Sequence, residues 1–151
     1  MCKLVFSVFR DLHGIRKAVH ATVNFIKSNY SNVSDNFIFE VKIILNELLS
    51  NSMRYSYRND LNCIATVIVG ITFDMKIYIV IKDYGDGFDY MKIFNKCEDI
   101  DLCIDSIKES GRGILLVKNL SDDIKFCNKG NKIVIIKKLI TQCNMKNKIN
   151  E

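Results

Sequence analysis

The chain has 151 residues, 48% apolar and 26% charged, which is the make-up of one globular domain and excludes a disordered or fibrous chain. Its net charge of +5 is scattered, with acidic residues between the lysines and no basic run interleaved with aromatics, so direct nucleic-acid binding is not expected. No apolar run is long enough to cross a bilayer, and MCKLVFSVFR lacks the regions of a signal peptide, so the reading is cytoplasmic with no membrane partner.

The opening residues 3–9 alternate and predict a strand. Asp11–Asn29 predicts a helix with Ile15, Val19, Val23 and Ile26 on one side. It carries both histidines, His13 and His20, to which no chemistry is assigned. After a polar turn, Asp35–Tyr57 predicts a longer amphipathic helix, with Phe37, Val41, Ile44, Leu45, Leu48 and Leu49 on its apolar face and Ser34 or Asp35 as cap. Cys63–Phe73 and Lys76–Lys82 predict an antiparallel hairpin turning at Asp74-Met75, with Ile77, Ile79 and Ile81 on one face.

Phe88–Ser110 loses periodicity and turns acidic, the pattern of a lid or of a short surface helix. Gly113–Leu120 predicts a helix introduced by Gly111-Arg112-Gly113. Asp123–Asn128 and Lys132–Leu139 predict a closing hairpin around Lys129-Gly130-Asn131. Residues 1–140 read as one domain and 141–151 as a polar tail. The expected fold class is α+β, a two-layer sandwich with helices on one face of a mostly antiparallel sheet. The six cysteines form no C-x-x-C, so reduced thiols are expected rather than zinc, with Cys63 and Cys127 as small core residues.

Three stretches can carry chemistry. Glu47 and Asn51 are four apart and leave one side of a helix together, where the carboxylate can act as base and the amide oxygen as metal ligand. The same spacing is also that of a solvated helix face. Asp83 opens DYGDG at a strand end, where a carboxylate can accept from the exocyclic amine of a base; Asp-Gly is equally an ordinary turn. Gly111 and Gly113 bracket Arg112 at a helix start, where main-chain N–H groups and the guanidinium suit phosphate; glycines also simply start helices. No Walker A loop and no dinucleotide-binding G-x-G-x-x-G after the first strand occurs.

Taken in order, ELLSNSMRYS, DYGDG and SGRGILLVKNLSDDIKF resemble the N-box and the two glycine boxes of the GHKL ATPase superfamily, whose nucleotide site is of the Bergerat type. The chain is most similar to the bacterial anti-sigma factor serine-protein kinases, over roughly residues 3–140. That resemblance implies ATP and Mg²⁺ as cofactors, with Asn51 on the metal and Glu47 as general base on a seryl or threonyl hydroxyl. It implies Asp83 on the adenine amino group, Gly85 and Gly87 shaping the adenine pocket, and Gly111, Arg112 and Gly113 on the phosphates. It also implies a sigma factor and an anti-anti-sigma (antagonist) protein as partners, with a homodimer as a further possibility. The alternative is a nucleotide-dependent regulatory binding module of the same fold without phosphoryl transfer. Tyr55-Ser56 stands where the family often has His-Gly, Asn131 where it often has Thr, and Glu109 where one branch has Arg.

Overall fold

The computed structural model describes residues 2–11, 13–55, 63–85, 87, 109–127 and 130–140. Among them run β1 (Cys2–Phe9), α1 (Gly14–Asn29), α2 (Asp35–Tyr55), β2 (Cys63–Ile71), β3 (Lys76–Asp83), α3 (Glu109–Leu120), β4 (Asp123–Cys127) and β5 (Lys132–Lys138). The strands form one sheet in the order β1-β2-β3-β5-β4, and every neighbouring pair is antiparallel. With the helices laid on it, this is the expected α+β sandwich. The tail at 141–151 and all of the expected lid Phe88–Ser110 but its last two residues lie outside the described residues; Glu109 and Ser110 belong to α3.

The period-2 pattern decides which face of the sheet is covered. Ile77, Ile79 and Ile81 of β3 and Ile133 and Ile135 of β5 are buried, while Tyr78, Val80, Val134 and Ile136 between them are half-buried. Against the buried face lies α2, whose Phe37, Val41, Ile44, Leu45, Leu48 and Leu49 are all buried. Each such side chain contributes about 1.5–3 kcal/mol by leaving water. The cap of α2 is Ser34: its Oγ accepts the Phe37 N–H at 3.2 Å, three residues on, so Asp35 is the first helical residue.

Two expectations change. The expected face of α1 is turned, because its inward stripe is Gly14, Ala18 and Thr22, with Val23 and Ile26, while Ile15 and Val19 are only partly buried. Small residues let α1 approach closely: a Cβ on Gly14 would overlap the carbonyl oxygen of Phe9. Cys63 and Cys127 are half-buried rather than core, and both are free thiols, as is the exposed Cys2. Lys137 is the opposite surprise. It follows Ile133 and Ile135 on the inner face of β5 and is only 7% exposed. No helix among the described residues is long and apolar enough to cross a membrane.

Candidate functional site

The C-terminal half of α2 presents Glu47 and Asn51, both half-buried, to the start of α3. The closest measure of that approach is Gly113. A Cβ built there would overlap the Glu47 Oε2 outright, would lie 3.3 Å from its Cδ, and would come within 3.9 Å of Asn51 Nδ2. Gly113 is thus a place where α3 lies close against α2, next to Glu47 and near Asn51. Neither Glu47 nor Asn51 has a hydrogen bond or ion pair with another described residue.

α3 starts earlier than the sequence suggests. It begins at Glu109, so Gly111 and Arg112 are its third and fourth residues and Gly113 its fifth. A helix leaves its first four N–H groups without a partner within the helix. Counted from Glu109, the Gly111 amide is the last of that free set, and the Arg112 and Gly113 amides fall within the helical ladder. Gly113 therefore matters for its missing side chain rather than its N–H. The Arg112 side chain is exposed.

The other end of α3 is held by Lys137. Its Nζ donates to the Leu120 carbonyl at 2.6 Å, pairs with Glu40 Oε2 of α2 at 2.6 Å, and lies 5.7 Å from the centre of the Phe37 ring. A cation at a helix C-terminus meets the negative end of the helix dipole. One buried ammonium thus ties the last turn of α3 to α2.

Asp83 ends β3 on the face that Ile77, Ile79 and Ile81 share, the face covered by the helices. Its Oδ1 accepts the Gly85 N–H at 2.9 Å, which folds the chain back at the strand end. No described residue bonds its other oxygen. Burial pushes the Asp83 carboxyl above the usual carboxylate range, against the lowering effect of the Gly85 N–H. Gly87 has φ 80, in the left-handed region open to glycine. Tyr84 turns to the opposite face, where its hydroxyl lies 2.9 Å from Thr66 Oγ1.

The site is separate from the histidines. His13 only begins α1, its N–H donating to Asp11 Oδ1 at 2.7 Å. His20 lines a groove of about 220 Å³ between α1 and α2, together with Arg16, Val19, Val23, Lys42 and Asn46, none of them at the α2–α3 contact. Lys137 is what the sequence reading missed, although the alternation Ile133, Ile135, Lys137 already points it inward.

The comparisons with known proteins bear on the family and the fold. A family model described as the histidine kinase-like ATPase domain matches residues 10–137. The serine-protein kinase RsbW of Staphylococcus aureus (strain JH9) is 30% identical over 115 residues, which is 73% of this chain and 70% of that protein. Another Staphylococcus aureus RsbW is 35% identical over 92 residues, 58% of this chain and 56% of its own. Among solved structures, that of the RsbU and RsbW domains of Rv1364c from Mycobacterium tuberculosis superposes with a TM-score of 0.60 at 9% identity, covering 92% of this chain and 33% of that one. The SiaB–SiaC complex from Pseudomonas aeruginosa gives a TM-score of 0.57 at 16% identity, covering 88% of this chain and 86% of that one. At such identities the two structures establish the shared fold alone. The family match and the RsbW relatives go further: this chain belongs to the histidine kinase-like ATPase domain family, in the anti-sigma factor kinase type of the GHKL superfamily that the order of its motifs implied.

Proposed function

We propose that the chain is a serine/threonine-protein kinase that takes its phosphoryl group from Mg-ATP, acts on an anti-anti-sigma protein, and holds a sigma factor. The observation that carries this reading is the seat of Gly113 against both Glu47 and Asn51. It brings the start of α3 beside a carboxylate and a carboxamide that have no partner among the described residues. The RsbW relatives are named serine-protein kinases, which supports the reaction class.

The donor set fits the implied cofactors. A carboxamide oxygen at Asn51 is a hard oxygen donor of the kind Mg²⁺ takes alongside phosphate oxygens and water. Bound there, the metal would neutralise developing charge on the transferring phosphoryl group. Asn51 would hold it. Gly111 would offer its main-chain N–H and Arg112 its guanidinium to the phosphate oxygens, and the α3 dipole would favour the negative charge. Glu47 would accept the proton of the seryl or threonyl hydroxyl as its oxygen bonds to phosphorus and the bond to the nucleotide diphosphate breaks. Asp83 would orient the base through its free oxygen, with Gly85 and Gly87 keeping the neighbouring backbone bare of side chains.

Partners follow from the same reading. The protein that carries the accepting hydroxyl is the antagonist, and the sigma factor is released when nucleotide or antagonist state changes. β1 is an edge strand with Val5 and Phe9 exposed on it, which supports a homodimer formed along that edge. The test mixes the protein with Mg-ATP and the antagonist encoded beside it and looks for phosphoserine or phosphothreonine. Transfer by the wild type, reduced at least about a hundredfold in Glu47→Ala, is the expected result. Nucleotide-dependent partner binding with no transfer would instead assign a regulatory module.

A further inference from the structure

The sheet has a second face, turned away from the helices, and the register says which residues stand on it. One row crosses four strands as Val5, Ile68, Val80 and Val134. Beside it Tyr78 pairs with Ile136, and the Tyr78 ring lies over Gly70, where a Cβ would overlap it. Val5 is 50% exposed, and Ile68, Tyr78, Val80, Val134 and Ile136 each keep part of their surface in water.

Around this apolar middle stand Lys3, Lys76, Lys82, Lys125, Lys132 and Lys138, all on the same face. The strands set one carboxylate among them, Asp123, which pairs with Lys125 at 3.4 Å, while Asp74 in the β2–β3 turn pairs with Lys76. Lys3, Lys82, Lys132 and Lys138 have no ion pair with a described residue. Lys82 stands directly opposite Lys132, and Lys76 opposite Lys138. Like charges so placed oppose folding. In the sequence these lysines are dispersed between positions 3 and 138, and strand pairing collects them. Neither the missing basic run nor the missing span in the sequence bears on a surface assembled this way.

The chemistry of the face selects its occupant. A second copy laid on it would set lysine against lysine. Protein interfaces favour arginine and are poor in lysine, whereas this face presents six lysines and no arginine. Duplex nucleic acid would meet the lysines but leave the Val and Ile row against polar groove and phosphate. An anionic bilayer uses both. Lysine stems extend over the apolar row while the ammoniums reach lipid phosphates, and the aliphatic groups rest at the headgroup boundary. At the rim, Phe73 of the β2–β3 turn is 93% exposed and adds an aromatic ring to that boundary.

We propose that this outer face is a peripheral docking surface for an anionic lipid bilayer. Glu47 and Asn51 lie among the helices on the other side of the sheet, so the docked domain turns the α2–α3 contact away from the lipid. The inference stands apart from the nucleotide reading, and its test needs no nucleotide.

The full chain is sedimented with phosphatidylcholine vesicles, with and without about 30 mol% phosphatidylglycerol, at about 0.1 M salt. The wild type is expected to bind the anionic vesicles only, and to lose at least about tenfold in binding when salt is raised to about 0.5 M. Lys82→Gln with Lys132→Gln is expected to bind about twentyfold more weakly, about fivefold for each lysine, and to melt no lower than the wild type because a like-charge pair is relieved. Lys17→Gln with Lys27→Gln makes the same change in net charge at exposed positions of α1 and is expected to stay within about threefold of the wild type. No binding of the wild type to anionic vesicles overturns the inference, and retention of duplex DNA in its place would give the face to nucleic acid. Unchanged binding by the Lys82/Lys132 variant overturns it. Equal losses in the two double variants overturn it too, because net charge alone would then act.

Discussion

A side chain at Gly113 of α3 would meet the Glu47 carboxylate. In an exposed helix interior, exchange of glycine for alanine adds about 1 kcal/mol of stability. Here the added methyl must push the flexible end of Glu47 aside. Gly113→Ala is therefore expected to hold or raise the melting temperature, to keep nucleotide affinity within about threefold, and to lower phosphoryl transfer at least about tenfold, since a displaced base loses its reach to the hydroxyl proton. Calorimetric melting and single-turnover transfer on the same preparation check both halves.

Asp83 makes the pH prediction. Its folded carboxyl titrates above the unfolded value, so the native state binds protons more readily over that interval, and its contribution to stability falls as pH rises through it. Function runs the other way. As pH falls through the raised folded value, the carboxyl gains a proton and ceases to be an acceptor for the base amine. ATP affinity is expected to decline on acidification at a pH above the roughly 3.9 of an ordinary aspartate, and Asp83→Asn is expected to flatten the decline. A wild-type affinity that is level from about pH 7 down to about pH 4 would contradict this. The spacing of Glu47 and Asn51 and the strand-end position of Asp83 were legible in the sequence, because local periodicity carries them. The use of Gly113 as a spacer was not, because it depends on where a distant helix packs.

At the scale of elements, α2 is the frame on which the site is hung and α3 the part that must be aimed. Lys137 aims it, through the Leu120 carbonyl and Glu40. Lys137→Met leaves Glu40 without its cation and a helix carbonyl without its donor. The expected loss is about 2–3 kcal/mol in urea unfolding, short of the 3–5 of a fully buried pair because the Glu40 side chain keeps 20% of its exposure. Glu40→Gln added to Lys137→Met should recover more than half of that loss. The start of α3 shows what periodicity leaves out. Its apolar pattern begins at Ile114, so the sequence predicts a helix from Gly113, yet the structure carries helical backbone back to Glu109. A first turn without apolar residues gives no periodic signal. The α1 stripe failed for a related reason: Gly14, Ala18 and Thr22 bury well because they are small, and the pattern of large apolar residues points elsewhere.

For the whole molecule, the fold class was readable from the alternation of strand and helix patterns and from the hairpin at Asp74-Met75. The strand order was not, since the placing of β5 beside β3, with β4 on the edge, follows from long-range pairing. That pairing sets Asn131 beside Asp83, two residues 48 positions apart in sequence. It also sets the end of β3 and the contact of α2 with α3 at one side of the sheet, the side the helices cover. If both belong to one nucleotide cavity, binding stabilises the whole domain by mass action, about 2.7 kcal/mol at a hundred times Kd. The melting temperature should then rise with Mg-ATP concentration.

The most direct measurement is titration of Mg-ATP into the wild type, Asn51→Ala and Asp83→Ala. One adenine nucleotide per chain, weakened at least about tenfold by either substitution although one lies on α2 and the other at the end of β3, is the expected result. Binding by Asp83→Ala as tight as by the wild type would contradict the account, because the base would then be held somewhere other than at the end of β3.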